Sequence, residues 1–179
     1  MKFKKLIFES FDIVPITEKR LNKSDIIKII SSKLREQKNS DYDIEYTINV
    51  LDSYKFLFGY RKTINNNDYL FMYNKKMNFF ELHFFYLDDL ESNGEDIQAQ
   101  DNSINVFSYM MSICLILLKD NRPVRIISPS KKRTLFYTKI SNKIIKKYNL
   151  DYIAVIKDDC IEFLKSKGKT DIVESFLRK

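Results

Sequence analysis

Between Ser130 and Tyr148 the chain carries seven positive side chains and no negative one. They are Lys131, Lys132, Arg133, Lys139, Lys143, Lys146 and Lys147. Phosphate is the chemistry such a set serves. At about 100° per residue, Lys132, Lys139, Lys143, Lys146 and Lys147 share an arc of roughly 100° on a helix. Tyr137, Ile140, Ile144, Ile145 and Tyr148 fill the arc beside it. A helix built this way docks by its apolar stripe and offers its charge to a polyanion. Its first turn holds Lys131, Lys132 and Arg133, where the helix dipole is already positive. That placement costs about 0.3–1 kcal/mol per residue unless an anion sits there. Ser128 and Ser130, on either side of Pro129, can cap the free amides, and with the three cations they form a phosphate seat. Arg125, on the preceding strand, is expected to point to the same place.

The other reactive side chains make a weaker case. His83 is the single histidine, and strand alternation sets it on one face with Glu81. A carboxylate beside an imidazole can orient it for acid–base work. No nucleophile or metal partner is legible nearby, so His83 reads as a hydrogen-bonded strand residue. Cys114 and Cys160 both fall in apolar helical patterns and read as buried thiols, with no disulfide framework or metal spacing. The three glycines, Gly59, Gly94 and Gly168, cannot build a phosphate loop or a dinucleotide fingerprint. Tyr54, Phe56, Phe58, Tyr60, Tyr69, Phe71 and Tyr73 could stack on unpaired bases, but at period two they read as the core face of a sheet. Asp88, Asp89 and Glu91 read as solvated acids at a strand exit. No catalytic set, metal site or cofactor is expected.

The elements that must position the basic helix follow from periodicity. A first strand is expected over Lys4–Ile13, ending near Pro15. Ser24 is expected to cap a helix whose apolar face is Ile26, Ile27, Ile29, Ile30 and Leu34. After Asn39 the period changes: Ile44, Tyr46, Ile48 and Val50 alternate with polar residues, which predicts a strand. Strands follow over Tyr54–Lys62, Tyr69–Tyr73 and Asn78–Leu87, with turns at Asn65–Asn67 and Asn74–Lys76. Residues 92–102 read as an acidic exposed loop. Beyond it come a central helix over Ser103–Lys119, a strand over Val124–Ile127, the basic helix over 130–148 and a strand over Tyr152–Ile156. A helix from Asp158 or Asp159 to Gly168 and a last one from Thr170 complete the chain. The expected fold is a single α+β domain over 1–179. Its mixed sheet rests on an antiparallel meander with one helix in residues 1–91, and helix-strand-helix-strand-helix follows in 103–179.

The charge is distributed to match. Residues 1–91 carry 15 basic and 14 acidic groups, whereas residues 103–179 carry 16 and seven, so the positive field belongs to the C-terminal half. Hydrophobic residues make up 44% of the chain and aromatics 14%, enough for a substantial core and unlike a disordered polypeptide. Abundant Lys, Asn and Ile with two Ala is the composition of an AT-rich genome, such as a phage or mobile element. The most apolar stretch, Ile104–Leu118, is shorter than the ~20 residues of a membrane span. The N-terminal lysines are followed by Glu9 and Asp12 and do not form a signal peptide. A cytoplasmic location is expected.

The order strand, helix, meander, helix, strand, helix, strand resembles that of GNAT-type acyltransferases. Leu135-Phe136-Tyr137-Thr138-Lys139-Ile140 is similar to that family's late tyrosine-bearing helix. Where the family places a Gly-containing, usually basic turn for the coenzyme A pyrophosphate, this chain has the acidic stretch Asp88–Asp101 with Gly94 alone. The resemblance is one of element order. The function expected from the residues is non-catalytic binding of RNA or DNA through the basic helix. The alternative is a protein-interaction module (an inhibitor, immunity or host-defence factor) that binds an acidic protein partner.

Overall fold

Asn22 accepts a hydrogen bond from the amide of Asp25 at 3.0 Å, and the Asp25 carboxylate accepts one from the amide of Asn22 at 3.4 Å. This reciprocal capping box starts α1 (Lys23–Glu36) and displaces Ser24 from its expected role. The computed structural model that shows this describes residues 12–88, 90, 103–127, 131–158 and 160–166, without the side chains of Ser103 and Lys131–Arg133. The expected strand residues 4–11, the acidic loop 92–102, Ser128, Ser130 and the helix from Thr170 lie outside the described residues. Asp12 and Ile13, the described end of that first strand, are irregular.

The architecture is α+β, with one seven-stranded sheet. In chain order the elements are β1 (Leu21–Asn22), α1, α2 (Asp41–Ser53), β2 (Leu57–Ile64), β3 (Asn67–Lys75) and β4 (Phe80–Tyr86). They continue with α3 (Ser103–Leu118), β5 (Val124–Ile126), α4 (Lys131–Lys147), β6 (Tyr152–Lys157) and β7 (Cys160–Lys165). The sheet runs β1-β2-β3-β4-β5-β7-β6, and only the β4–β5 pair is parallel.

Two expected elements are replaced. Residues 44–50 are helical, inside α2, rather than a strand. Their alternation coexists with a second spacing, Ile44, Ile48 and Leu51, which packs on α1 and the sheet while Tyr46 stays 62% exposed. Ser40 caps this helix, accepting from the Asp43 amide at 3.2 Å, and Asp41 and Asp43 suit the positive end of its dipole. Burial against α1 outweighs the β-propensity of Ile, Tyr, Thr and Val here. The N-terminal half thus has two helices and a three-stranded meander, plus the two-residue β1. Residues 160–165, expected in a helix, form β7. Lys157 pairs with Cys160, so Asp158, at φ 49°, belongs to a two-residue hairpin turn and caps no helix. Ile161 and Phe163 are fully buried at period two. Cys160 accordingly lies in a strand, while Cys114 lies in α3, and both are buried free thiols.

The β2–β3 turn is Asn65–Asn66, with φ of 49° and 64° at consecutive residues, the type I′ geometry whose twist matches that of the flanking strands. Of the aromatic row expected on the core face, Tyr60, Tyr69, Phe71 and Tyr73 are buried against α3 and Phe58 packs beside them. Tyr54 instead ends α2 and packs on the opposite side of the sheet, and Phe56, ahead of β2, is 45% exposed. α3 and α4 cover one side of the sheet, where Phe107 and Tyr137 stack at 4.5 Å and 12°. α1 and α2 cover the other side over β2, β3 and β4, around Ile26, Leu70 and Met72. Residues 12–18 are tied to α3: Asp12 and Val14 amides donate to Ser108 and Ser112, at 3.3 and 2.9 Å. Among the described residues, no helix is long and apolar enough to cross a membrane.

Candidate nucleic-acid interface

α4 contains no acidic residue, and its orientation on the sheet is set by its own polar and apolar groups. Thr134, Ile140, Ser141, Ile144 and Ile145 are buried. Asn142 holds the edge strand β6 as a neighbouring strand would. Its amide donates to the Ala154 carbonyl at 2.8 Å and its carbonyl accepts from the Ala154 amide at 3.0 Å. With that rotation fixed, Lys139, Lys143, Lys146 and Lys147 are all exposed. Leu135 and Phe136 are exposed on the same arc, at 52% and 41%. Lys147 lies 3.4 Å from Asp12 and 5.1 Å from the centre of the Tyr148 ring. The outward face is therefore basic with apolar and aromatic groups among the charges.

The helix start is only partly visible. The backbone of Lys131, Lys132 and Arg133 is helical. Their side chains, and Ser128 and Ser130, lie outside what the structure describes. Arg125 is committed elsewhere: its Nε is paired with Glu162 on β7, and its guanidinium lies 4.1 Å from the centre of the Phe79 ring. The hydrogen bond to Glu162 keeps the guanidinium charged, raising its pKa above an already high value.

On the opposite side of the sheet, register lines up a row of charges. Glu81 on β4 is beside Arg125 on β5, and Arg125 is opposite Glu162 on β7. Lys76 lies 3.6 Å from Glu81, and Lys157 lies 3.7 Å from Glu162. Glu162 is 4% exposed, so Arg125 and Lys157 compensate a buried carboxylate. His83 shares the face with Glu81, as alternation predicts, with Nε2 at 3.9 Å from Oε1. Burial lowers the imidazole pKa, outweighing the opposite pull of Glu81, and Lys76 adds to the lowering. His83 is therefore neutral at pH 7, with one donor and one acceptor nitrogen.

Asn74, expected in the turn Asn74–Lys76, belongs to β3 and is 4% exposed. Its side chain makes no hydrogen bond among the described residues. The legible signal was its spacing from Leu70 and Met72, which sets it on the face that receives α1 and α2. No cluster of three or more His, Cys, Asp or Glu able to hold a metal occurs among the described residues. Burial pushes the Cys114 thiol far up and raises that of Cys160, so neither is a ready nucleophile. The Cys160 thiol also donates to the Lys157 carbonyl at 2.8 Å. The class of protein is thus an α+β domain with a basic helix on one side of its sheet. No family model, curated protein or solved structure matches the chain.

Proposed function

We propose that this is a non-catalytic polyanion-binding protein that takes RNA or DNA along α4. One observation carries the reading: four lysines of an acid-free helix, Lys139, Lys143, Lys146 and Lys147, are exposed along one arc. Their spacing lets them track a phosphate backbone, while Phe136 and Tyr148 offer rings for an unpaired base. Lys131, Lys132 and Arg133, with Ser128 and Ser130, extend the interface at the positive end of the helix. Arg125 supports it indirectly, by holding β5 to β7 beneath the helix.

Binding of the full chain to labelled single- and double-stranded RNA and DNA at about 50 and 200 mM salt tests this reading. Retention at low salt that falls steeply at high salt supports it. Absence of retention at the lower salt overturns it. The exposed lysines would then be read as a dock for an acidic protein partner.

A further inference from the structure

Between α1, α2 and the face of β2, β3 and β4 beneath them lies a pocket of about 280 Å³. Its walls are mostly apolar, from Ile30, Leu51, Leu57, Met72 and Phe85; Tyr46, Thr47 and Tyr54 line it from the α2 side, and Asn74 and His83 are the polar residues that the sheet contributes. Tyr46 and Val50 stand at its rim, 62% and 38% exposed. Asn74 is the informative residue. Among the described residues the one fully buried side-chain polar atom without a partner is Asn39 Nδ2. The Asn74 carboxamide therefore still meets water in the pocket, and a ligand's donor and acceptor can take that water's place. Met72 opposes His83, and Asn74 opposes Glu81, so Asn74 and His83 are diagonal neighbours on one face.

We propose that this pocket is a binding site for a small neutral molecule with an apolar, ring-sized body and a carboxamide-type head that pairs with Asn74 and His83. The volume sets the size. A cavity of ~150 Å³ accommodates benzene, so this one has room for a substituted ring. The polar groups set the head. Asn74 offers both an acceptor oxygen and a donor nitrogen, which a second carboxamide complements with two antiparallel hydrogen bonds. Neutral His83 adds one donor and one acceptor. Glu81, 3.9 Å from His83, disfavours an anionic head, and Lys76 beside Glu81 disfavours a cationic one. The site is on the opposite side of the sheet from α4 and does not depend on nucleic-acid binding.

His83 is the single histidine, so its ring resonances in the histidine-labelled full chain report on this pocket alone. The probes are 4-ethylbenzamide and the matched hydrocarbon 4-ethyltoluene. Saturable shifts of the His83 ring by the amide are expected, with the hydrocarbon binding about tenfold more weakly, the value of one or two buried hydrogen bonds. Asn74→Leu, close to isosteric, should abolish that tenfold preference. Thr47→Trp, which blocks the pocket mouth from α2, should abolish binding of both probes. No saturable shift, an equal response to amide and hydrocarbon, or a preference that survives Asn74→Leu overturns the proposal.

Discussion

Arg125 and Glu162 are register partners across β5 and β7, and their side chains form an ion pair over the sheet face opposite α4. The one arginine expected to assist the basic helix therefore serves the sheet. Glu162 is 4% exposed, and removing its closest cation leaves a buried carboxylate under-compensated. Arg125→Met is expected to destabilise the fold by about 3 kcal/mol, the low end of breaking a buried pair, because Lys157 remains. Urea unfolding measures this. The salt dependence of nucleic-acid binding should be unchanged in the same variant.

Charge reversal on α4 should do the opposite. Lys139→Glu, Lys143→Glu and Lys146→Glu together should lower the slope of log K against log salt by about 2–3, at ~0.9 per phosphate contact. Because these side chains are exposed, the melting midpoint should move by less than about 3 °C. Filter binding across a salt series and a thermal melt check the two halves of this expectation.

Glu18 anchors the N-terminal segment to β2 and α3. Burial by itself would raise its carboxyl pKa, but hydrogen bonds from Lys62 and from the Tyr109 hydroxyl, the latter at 2.6 Å, hold it at about 2. A pKa below the ordinary 4.5 means the stabilisation is complete above about pH 4.5 and is lost as pH falls towards 2. Tyr109→Phe removes one donor, so it should be less stable at pH 7 by about 1.5–3 kcal/mol. It should also lose less stability on acidification. Denaturant midpoints at pH 7, 4 and 3 for both proteins give the comparison.

Gly59 leaves room for the β3 backbone beside it and for Ile26 of α1 above it. A Cβ at this position would stand 2.6 Å from the Phe71 carbonyl oxygen and 3.3 Å from Ile26 Cδ1. The nearer atom is backbone and cannot swing aside. Gly59→Ala should cost about 1–3 kcal/mol through overpacking. Calorimetry measures the loss.

At the β2–β3 turn both asparagines hold positive φ. Asn66→Gly should raise stability by a few tenths of a kcal/mol, and Asn66→Val should lower it by about 1–2 kcal/mol, since a β-branched residue is strained there. Thermal melts of the two variants should bracket the parent protein.

Much of this molecule follows from the order of its residues. The Asn65–Asn66 turn between alternating runs, the nearly all-apolar α3, and the charge segregation of α4 each carry a local signal that tertiary packing reinforces. The Glu81–His83 face pairing follows from strand alternation alone. Where two local signals competed, the tertiary structure chose. Residues 44–50 satisfy both period two and the Ile44–Ile48–Leu51 helical spacing, and the apolar face of α1 provided the partner that made the helix win. Asp158 is expected to start a helix, and pairing of β7 between β5 and β6 made it a turn residue instead. Long-range pairings have no local trace. Neither the commitment of Arg125 to Glu162 nor the placement of Asn74 diagonally beside His83 can be read along the chain, because each depends on the pairing of two strands.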